Sequence, residues 1–239
     1  MNRLPDELVP SNDASRLRSL HNYQVLNTTP EPIFDEYVAL AAQLFNLPIS
    51  LLSLVDEQEV FFKANTGLPG LERVARPDSL CSAAILQNEV LAYGDLAAEG
   101  CSLVNPVVAK SAGLRFYAGA ALKMPDGHNI GSLCVIGREP RTISSEEQEL
   151  LMRLAELTSM TIELRSYYLR QNRPAEWQQT QQQLQTLLSD EAAMARYLTS
   201  RLGTLSVLNG EHAPIQQRLL ALRHILTTLL AGCMASPAK

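Results

Sequence analysis

Apolar positions change period along the chain, and each change predicts an element. Leu17, Leu20 and Tyr23 share one face of a helix that Asn12 or Asp13 caps and that runs to about Leu26. After a turn at 27–30, Phe34, Val38, Ala41 and Phe45 recur at helical spacing, with Pro32 in the first turn and Pro48 past the end. The period then shortens to strand runs at 49–55 and 60–64, joined by Asp56-Glu57-Gln58-Glu59. Residues 66–77 hold two glycines and two prolines and read as a loop. Asp78 or Ser79 caps a short helix through Leu86, a short strand follows at 90–93, and 94–114 has no regular period. Irregular segments this long often line binding sites.

The most informative stretch comes next. Apolar, glycine-spaced runs at 115–122 and 130–136 flank Pro125-Asp126-Gly127-His128, a β-hairpin pattern. Gly119 and Gly131 sit inside the strands, where a missing side chain marks a bulge or a close backbone approach. Ser144 with Glu147 forms a capping box that opens a helix carrying Leu150, Leu154, Leu157, Thr161, Leu164 and Tyr168 on one face. Asn172-Arg173-Pro174 interrupts it and divides the chain into 1–171 and 172–239. Seven of the fifteen residues from 171 to 185 are glutamine, yet a heptad runs through Leu184, Leu187, Glu191, Met194, Leu198, Arg201, Leu205 and Leu208. Beyond Asn209-Gly210, the set Ile215, Leu219, Leu222, Leu226, Leu229 and Cys233 keeps the same spacing. The expected fold is α+β: a central antiparallel sheet flanked by helices, followed by a C-terminal helical hairpin or coiled coil.

Composition narrows the function classes. The net charge of −5 and pI near 5.4, with no lysine- or arginine-rich block, disfavour nucleic-acid binding. No apolar run approaches the roughly 18 residues of a membrane span, and the N-terminus lacks the basic and apolar regions of a secretory signal. The four cysteines (81, 101, 134 and 233) have no C-x-x-C or zinc-like spacing. A cytoplasmic protein is the expectation.

Several collinear pieces carry a family resemblance. They are Arg16-Leu17, Tyr23 to Thr28 and Phe34-Asp35; 49–56; Phe62-Lys63-Ala64 with Gly67-Leu68; Ser79-Leu80-Cys81 with Ala84-Ile85; Asp95; Asn105-Pro106-Val107; 115–122; and 131–136 followed by Arg138-Glu139-Pro140-Arg141. Together they make residues 13–168 resemble the GAF domain of bacterial signalling proteins. The resemblance implies a PAS-like sheet, a pocket between the sheet and its covering loops, and a small ligand that differs between members. The ligand and any cofactor are unknown. It also implies a homodimer built on the helices, and the heptads beyond it are expected to dock a signalling protein through residues 175–233. Members like this one normally precede histidine kinase, diguanylate cyclase or phosphatase domains. No H-box, GGDEF-like motif or nucleotide-binding glycine loop occurs after residue 174, so a non-catalytic sensor or adaptor is expected.

The candidate site follows from the same segments. Phe61, Phe62, Phe116 and Tyr117 lie on two strands expected to face a pocket, and alternation sends about half of them elsewhere. Lys63, Arg76, Asp95 and Arg115 are the polar groups expected to reach it. The two arginines suit a phosphate or carboxylate; the alternative is structural ion pairing with Asp78 or Asp95. Cys81 opens the predicted short helix, where a thiolate is favoured. The ligand set is therefore Phe62, Lys63, Arg76, Cys81, Asp95, Arg115, Phe116 and Tyr117. Bilin-attaching GAF domains place histidine after their cysteine, whereas Ser82 stands here. Cys134 reads as core packing, and a Cys81–Cys101 pair is an open redox possibility. His21, His128 and His224 form no catalytic or metal-binding pattern. Two further readings stand beside the sensor: a redox-active protein using Cys81, as reductase or thiol switch, and a vestigial sensor-kinase fragment with His224 on its last helix.

Overall fold

Six antiparallel strands make the central sheet of the computed structural model, which describes residues 5–99, 103–202 and 212–235. They are β1 (Ile49–Val55), β2 (Glu59–Thr66), β3 (Arg73–Ala75), β4 (Leu91–Tyr93), β5 (Phe116–Lys123) and β6 (Asn129–Gly137). Their order is β3-β2-β1-β6-β5-β4, so the expected hairpin β5–β6 joins β1 at the centre. Gly131 is required there: a Cβ would stand 1.9 Å from the Ser53 carbonyl oxygen of the neighbouring strand.

Alternation along the central strands sends side chains to two different worlds. Leu52, Leu54, Phe116, Ala118, Ala120, Leu133 and Val135 face one way and are buried beneath two helices, α2 (Pro32–Leu44) and α6 (Ser145–Arg170). The helix α1 (Asp13–Asn22) adds Leu20 to the same core. The capping box at Ser144 and Glu147 is formed, and Tyr37 of α2 hydrogen-bonds the Thr161 hydroxyl of α6 at 2.8 Å. Leu150, Leu154, Leu157 and Leu164 are each at most 1% exposed. The α6 face that the resemblance assigns to a dimer is thus occupied inside one chain.

The C-terminal helices fold back over this layer. α7 (Pro174–Leu202) lies along α2 and α8 (His212–Ala235) along α6, giving three layers: sheet, helix pair, helix pair. The chain turns at 171–173, and one hydrophobic cluster continues across the turn. The buried stripe of α7 is Trp177, Thr180, Leu184, Leu188, Glu191, Ala192 and Ala195, while Leu187 and Met194 of the expected seam are exposed. From Leu184 the buried stripe steps four residues to Leu188 and on to Ala192, where the expected seam steps three to Leu187. Leu205 and Leu208 lie outside the described residues. On α8 the expected Ile215, Leu219, Leu222, Leu226 and Cys233 are buried, with Leu230 joining in place of the half-buried Leu229.

Among the described residues, the other face of the sheet is covered by short pieces: Leu8 of the N-terminal segment, the 67–71 loop, α3 (Leu80–Ala84), α4 (Leu96–Glu99), α5 (Pro106–Ser111) and the loops between these helices. β3, α4 and α5 fall in the segments read from sequence as loop or irregular.

Candidate functional site

The strands that bury leucines on the helix side present Leu51, Ser53, Tyr117, Ser132, Cys134 and Ile136 on this second face. Leu51, Tyr117, Cys134 and Ile136 share a smaller core with Leu80 and Cys81 of α3 and with Val104. Between this surface and its cover lies a cavity of about 520 Å³. Leu51, Phe62, Leu71, Val108, Leu114 and Ile136 give it apolar walls, with Tyr117 and Cys81 among them and Asp78, Asn105 and Arg138 also on its lining. The covering segment read as irregular contributes much of the lining, including Val108 and Ala109 of α5. Its helix is nucleated locally: the Asn105 side chain accepts a hydrogen bond from the Val107 amide, and Pro106 occupies the first turn.

Two thiols meet in this face. The Sγ atoms of Cys81 and Cys134 are 3.9 Å apart, and both residues are at most 2% exposed. The Tyr117 hydroxyl donates to Cys81 Sγ at 3.8 Å. Gly119 makes room for that contact, because a Cβ there would lie 2.3 Å from the phenol oxygen. Ser79 caps α3 by accepting from the Cys81 amide. Beneath, Ser53 and Ser132 hydrogen-bond through their hydroxyls at 2.9 Å, and Ser50 donates to the Cys134 carbonyl. Hydrogen bonding with Cys134 holds the Cys81 thiol below the usual range; Ser132, Ser53 and Ser79 add to this, and burial opposes it. The same hydrogen bond and burial push Cys134 up. Burial and the neighbouring thiols raise Tyr117, so its phenol stays protonated and able to donate.

The sequence-derived candidates separate into three places. Phe62, Cys81 and Tyr117 line the cavity. Lys63 and Phe116 point to the opposite side of the sheet: Lys63 Nζ donates to Thr28, to the Thr29 carbonyl and to Glu31 at 2.6–2.8 Å, and Phe116 is core beneath the Arg141 guanidinium. Phe61 also belongs to that core. Arg76 is fully buried away from the cavity, where it binds both Asp13 oxygens and the Leu8 carbonyl. Asp95 and Arg115 form a two-point ion pair at 2.6–2.7 Å in a more open position, and that guanidinium holds the Asp95 carboxyl down to about 2. Cys101 lies outside the described residues.

Sequence reasoning missed two features. One is Cys134 as the partner of Cys81; the signal was alternation, which sets Ser132, Cys134 and Ile136 opposite Leu133 and Val135. The other is Glu31, which accepts from Lys63 of β2, Arg165 of α6 and the Trp177 indole of α7. A wider cleft of about 650 Å³ beside 44–48 and 137–142 carries the Arg141–Glu147 ion pair and none of the candidates. Among the described residues, no group of three or more histidine, cysteine or acidic side chains is placed to hold a metal, and no helix is long and apolar enough to cross a membrane.

Comparison with known proteins gives the following. The family model described as "GAF domain" matches residues 29–162. A cyclic di-GMP phosphodiesterase of Pseudomonas aeruginosa is 38% identical over 132 residues, covering 55% of this chain and only 22% of that protein. The solved blue-light absorbing form of the Thermosynechococcus elongatus PixJ GAF-domain superposes with a TM-score of 0.50 at 18% identity, covering 67% of this chain and 94% of that one. The GAF domain of an Acinetobacter phosphoenolpyruvate-protein phosphotransferase gives 0.46 at 17% identity, with 63% and 92% covered. At 18% identity the PixJ GAF-domain structure speaks for the fold alone.

Proposed function

The chain belongs to the GAF domain family, and from that premise we propose that it is a non-catalytic cytoplasmic sensor whose cavity occupancy is read by the helix layers α6–α8. The observation that carries this reading is the placement of the cavity one strand-thickness from the helices. Leu51 borders the cavity while Leu52 packs under the helices; Tyr117 and Ile136 stand in the same relation to Phe116, Ala118 and Val135. A ligand that spreads the cavity-side residues displaces their immediate neighbours, and a packed layer responds by shifting as a unit. The apolar walls, with Asp78, Asn105 and Arg138 also on the lining, suit a small molecule with an apolar body and a polar end. Output runs through residues 175–233. Leu187 and Met194 of α7 and Leu220 and Ile225 of α8 are apolar and exposed, and a second copy of the chain docks on them to form a dimer.

Native mass spectrometry of protein purified from its source tests both parts. The expected spectrum is a dimer carrying a small bound molecule, which a bulky Val108→Trp substitution in the cavity wall displaces. A monomer at tens of micromolar rejects the docking surface, and a ligand retained by Val108→Trp rejects the cavity.

A further inference from the structure

We propose that Cys81 and Cys134 form a two-thiol switch that one hydroperoxide oxidises stoichiometrically, closing it to a disulfide at the floor of the cavity. Four observations converge on it. The sulfurs are already in contact at 3.9 Å, so closing to a bond of about 2.05 Å takes a side-chain rotation and a small movement of α3. α3 is only five residues long, whereas Cys134 is fixed in a central strand, so the movable partner is Cys81. Cys81 also lines the cavity, which gives an oxidant a route to a sulfur closed to bulk water. The depressed thiol at Cys81, with the Tyr117 hydroxyl donating to it, supplies the thiolate that such chemistry uses. Cys233 is no competitor, being buried in the helix layers on the opposite side of the sheet.

The chemistry balances. The Cys81 thiolate attacks the terminal oxygen of the hydroperoxide; the S–O bond forms, the O–O bond breaks, and the departing alkoxide takes up the proton that Cys81 gave up. Cys81 is now a sulfenic acid. The Cys134 sulfur attacks the Cys81 sulfur; the S–S bond forms, the S–O bond breaks, and hydroxide leaves with the Cys134 proton as water. Two thiols and one hydroperoxide yield one disulfide, one alcohol and one water. Two electrons pass from sulfur to oxygen. When hydrogen peroxide is the oxidant, the alcohol is a second water. The apolar lining favours an organic hydroperoxide over hydrogen peroxide.

The inference goes beyond the sensor reading and does not depend on it, since sulfur oxidation and ligand occupancy are measured separately. Reduced full-length protein is exposed to cumene hydroperoxide or to hydrogen peroxide, alkylated, weighed and mapped by peptide mass spectrometry. The expected product has lost two hydrogens, about 2 Da, in one peptide pair joining Cys81 to Cys134, and dithiothreitol restores it. Cumene hydroperoxide is expected to react at least about tenfold faster than hydrogen peroxide, the factor that about 1.4 kcal/mol of apolar partitioning supplies. Cys134→Ser leaves Cys81 as a sulfenic acid that dimedone captures, and Cys101→Ser leaves the link intact. A dithiol that survives both oxidants overturns the proposal. So does a Cys81–Cys101 link, or stepwise oxygen gain at Cys81 of the unsubstituted protein without a link. Equal rates for the two oxidants overturn the cavity as the route of entry.

Discussion

The two faces of one sheet are built on opposite terms. On the helix side, leucine, valine, alanine and phenylalanine from β1, β5 and β6 are sealed under α2 and α6, which are themselves sealed under α7 and α8. On the cavity side the same strands set serine, cysteine, tyrosine and glycine among Leu51 and Ile136, beneath helices of five and six residues. A period of two lets one strand serve both purposes, because neighbouring residues never share a face. Stability is concentrated on one side, which leaves the other free to keep an unfilled space and two thiols in contact.

If that division holds, substitutions on the two faces differ sharply in cost. Leu154→Ala, at a fully buried position of α6, is expected to destabilise by about 4 kcal/mol, whereas Val108→Ala in the cavity wall costs under about 1 kcal/mol because the space it widens already exists. Urea unfolding of both variants measures the difference, and equal costs break the comparison.

The next largest effect concerns what holds the helix layers to the sheet. Glu31 accepts hydrogen bonds from Lys63, Arg165 and Trp177, so Glu31→Ala leaves two cations without their carboxylate. The expected loss is about 2 kcal/mol, below the range for a fully buried pair because the Glu31 side chain is 14% exposed. Trp177 is the only tryptophan, so its emission reports this region directly. A red shift before global unfolding is the sign that α7 lifts first. Unchanged emission with unchanged stability denies Glu31 its role as anchor.

How much of this was legible in the sequence differs between the faces for a physical reason. The helix side announces itself: Phe34, Val38 and Ala41 on α2, Leu150 to Leu164 on α6 behind a capping box, and Leu219 to Cys233 on α8 are long periodic runs. The cavity side is made of pieces too short to show a period. β3 has three residues in a glycine- and proline-rich segment and exists because it pairs with β2, and α4 and α5 have four and six. Adjacent residues Phe62 and Lys63, or Phe116 and Tyr117, cannot both face a pocket, and which one does depends on a register set by pairing with β1 and β6. The contact between Cys81 and Cys134 joins residues 53 positions apart, and no local pattern carries it. Arg76 finds Asp13, 63 positions earlier, instead of the nearby acids.

That last pair gives a pH-dependent test of how the N-terminal helix is held. Burial pushes the Asp13 carboxyl up, but hydrogen bonds from Arg76 and Arg16 outweigh it and leave the group below its ordinary value. A carboxyl depressed in the folded state contributes stability that is complete above its unfolded value of about 3.9 and is lost as pH falls through the folded one. Urea unfolding of the unsubstituted protein is therefore expected to weaken on going from pH 5 to pH 3, and Asp13→Asn to weaken it less over the same interval. Identical slopes for the two proteins remove Asp13 from the account. The effect is smaller than that of Glu31, since Asp13 is one of many carboxyls titrating there.

The finest test uses two consecutive residues of β5. Ala118 faces the helices and is fully buried in a packed cluster, so Ala118→Val adds two methyl groups where nothing can give way, and about 1–3 kcal/mol is the expected cost. Gly119 faces the other way, paired with Cys134 across the hairpin, and the atoms its new Cβ would meet are the far end of the Tyr117 ring. That ring borders the cavity and has room to swing into it, so Gly119→Ala is expected to cost under about 1 kcal/mol. What it changes is chemistry. The phenol hydroxyl leaves Cys81, and the thiol loses one of its hydrogen-bond donors, so its alkylation by iodoacetamide at pH 7 slows while Tm barely moves. A large Tm loss with unchanged alkylation reverses the assignment, and the two faces of the sheet then differ in composition but not in tolerance.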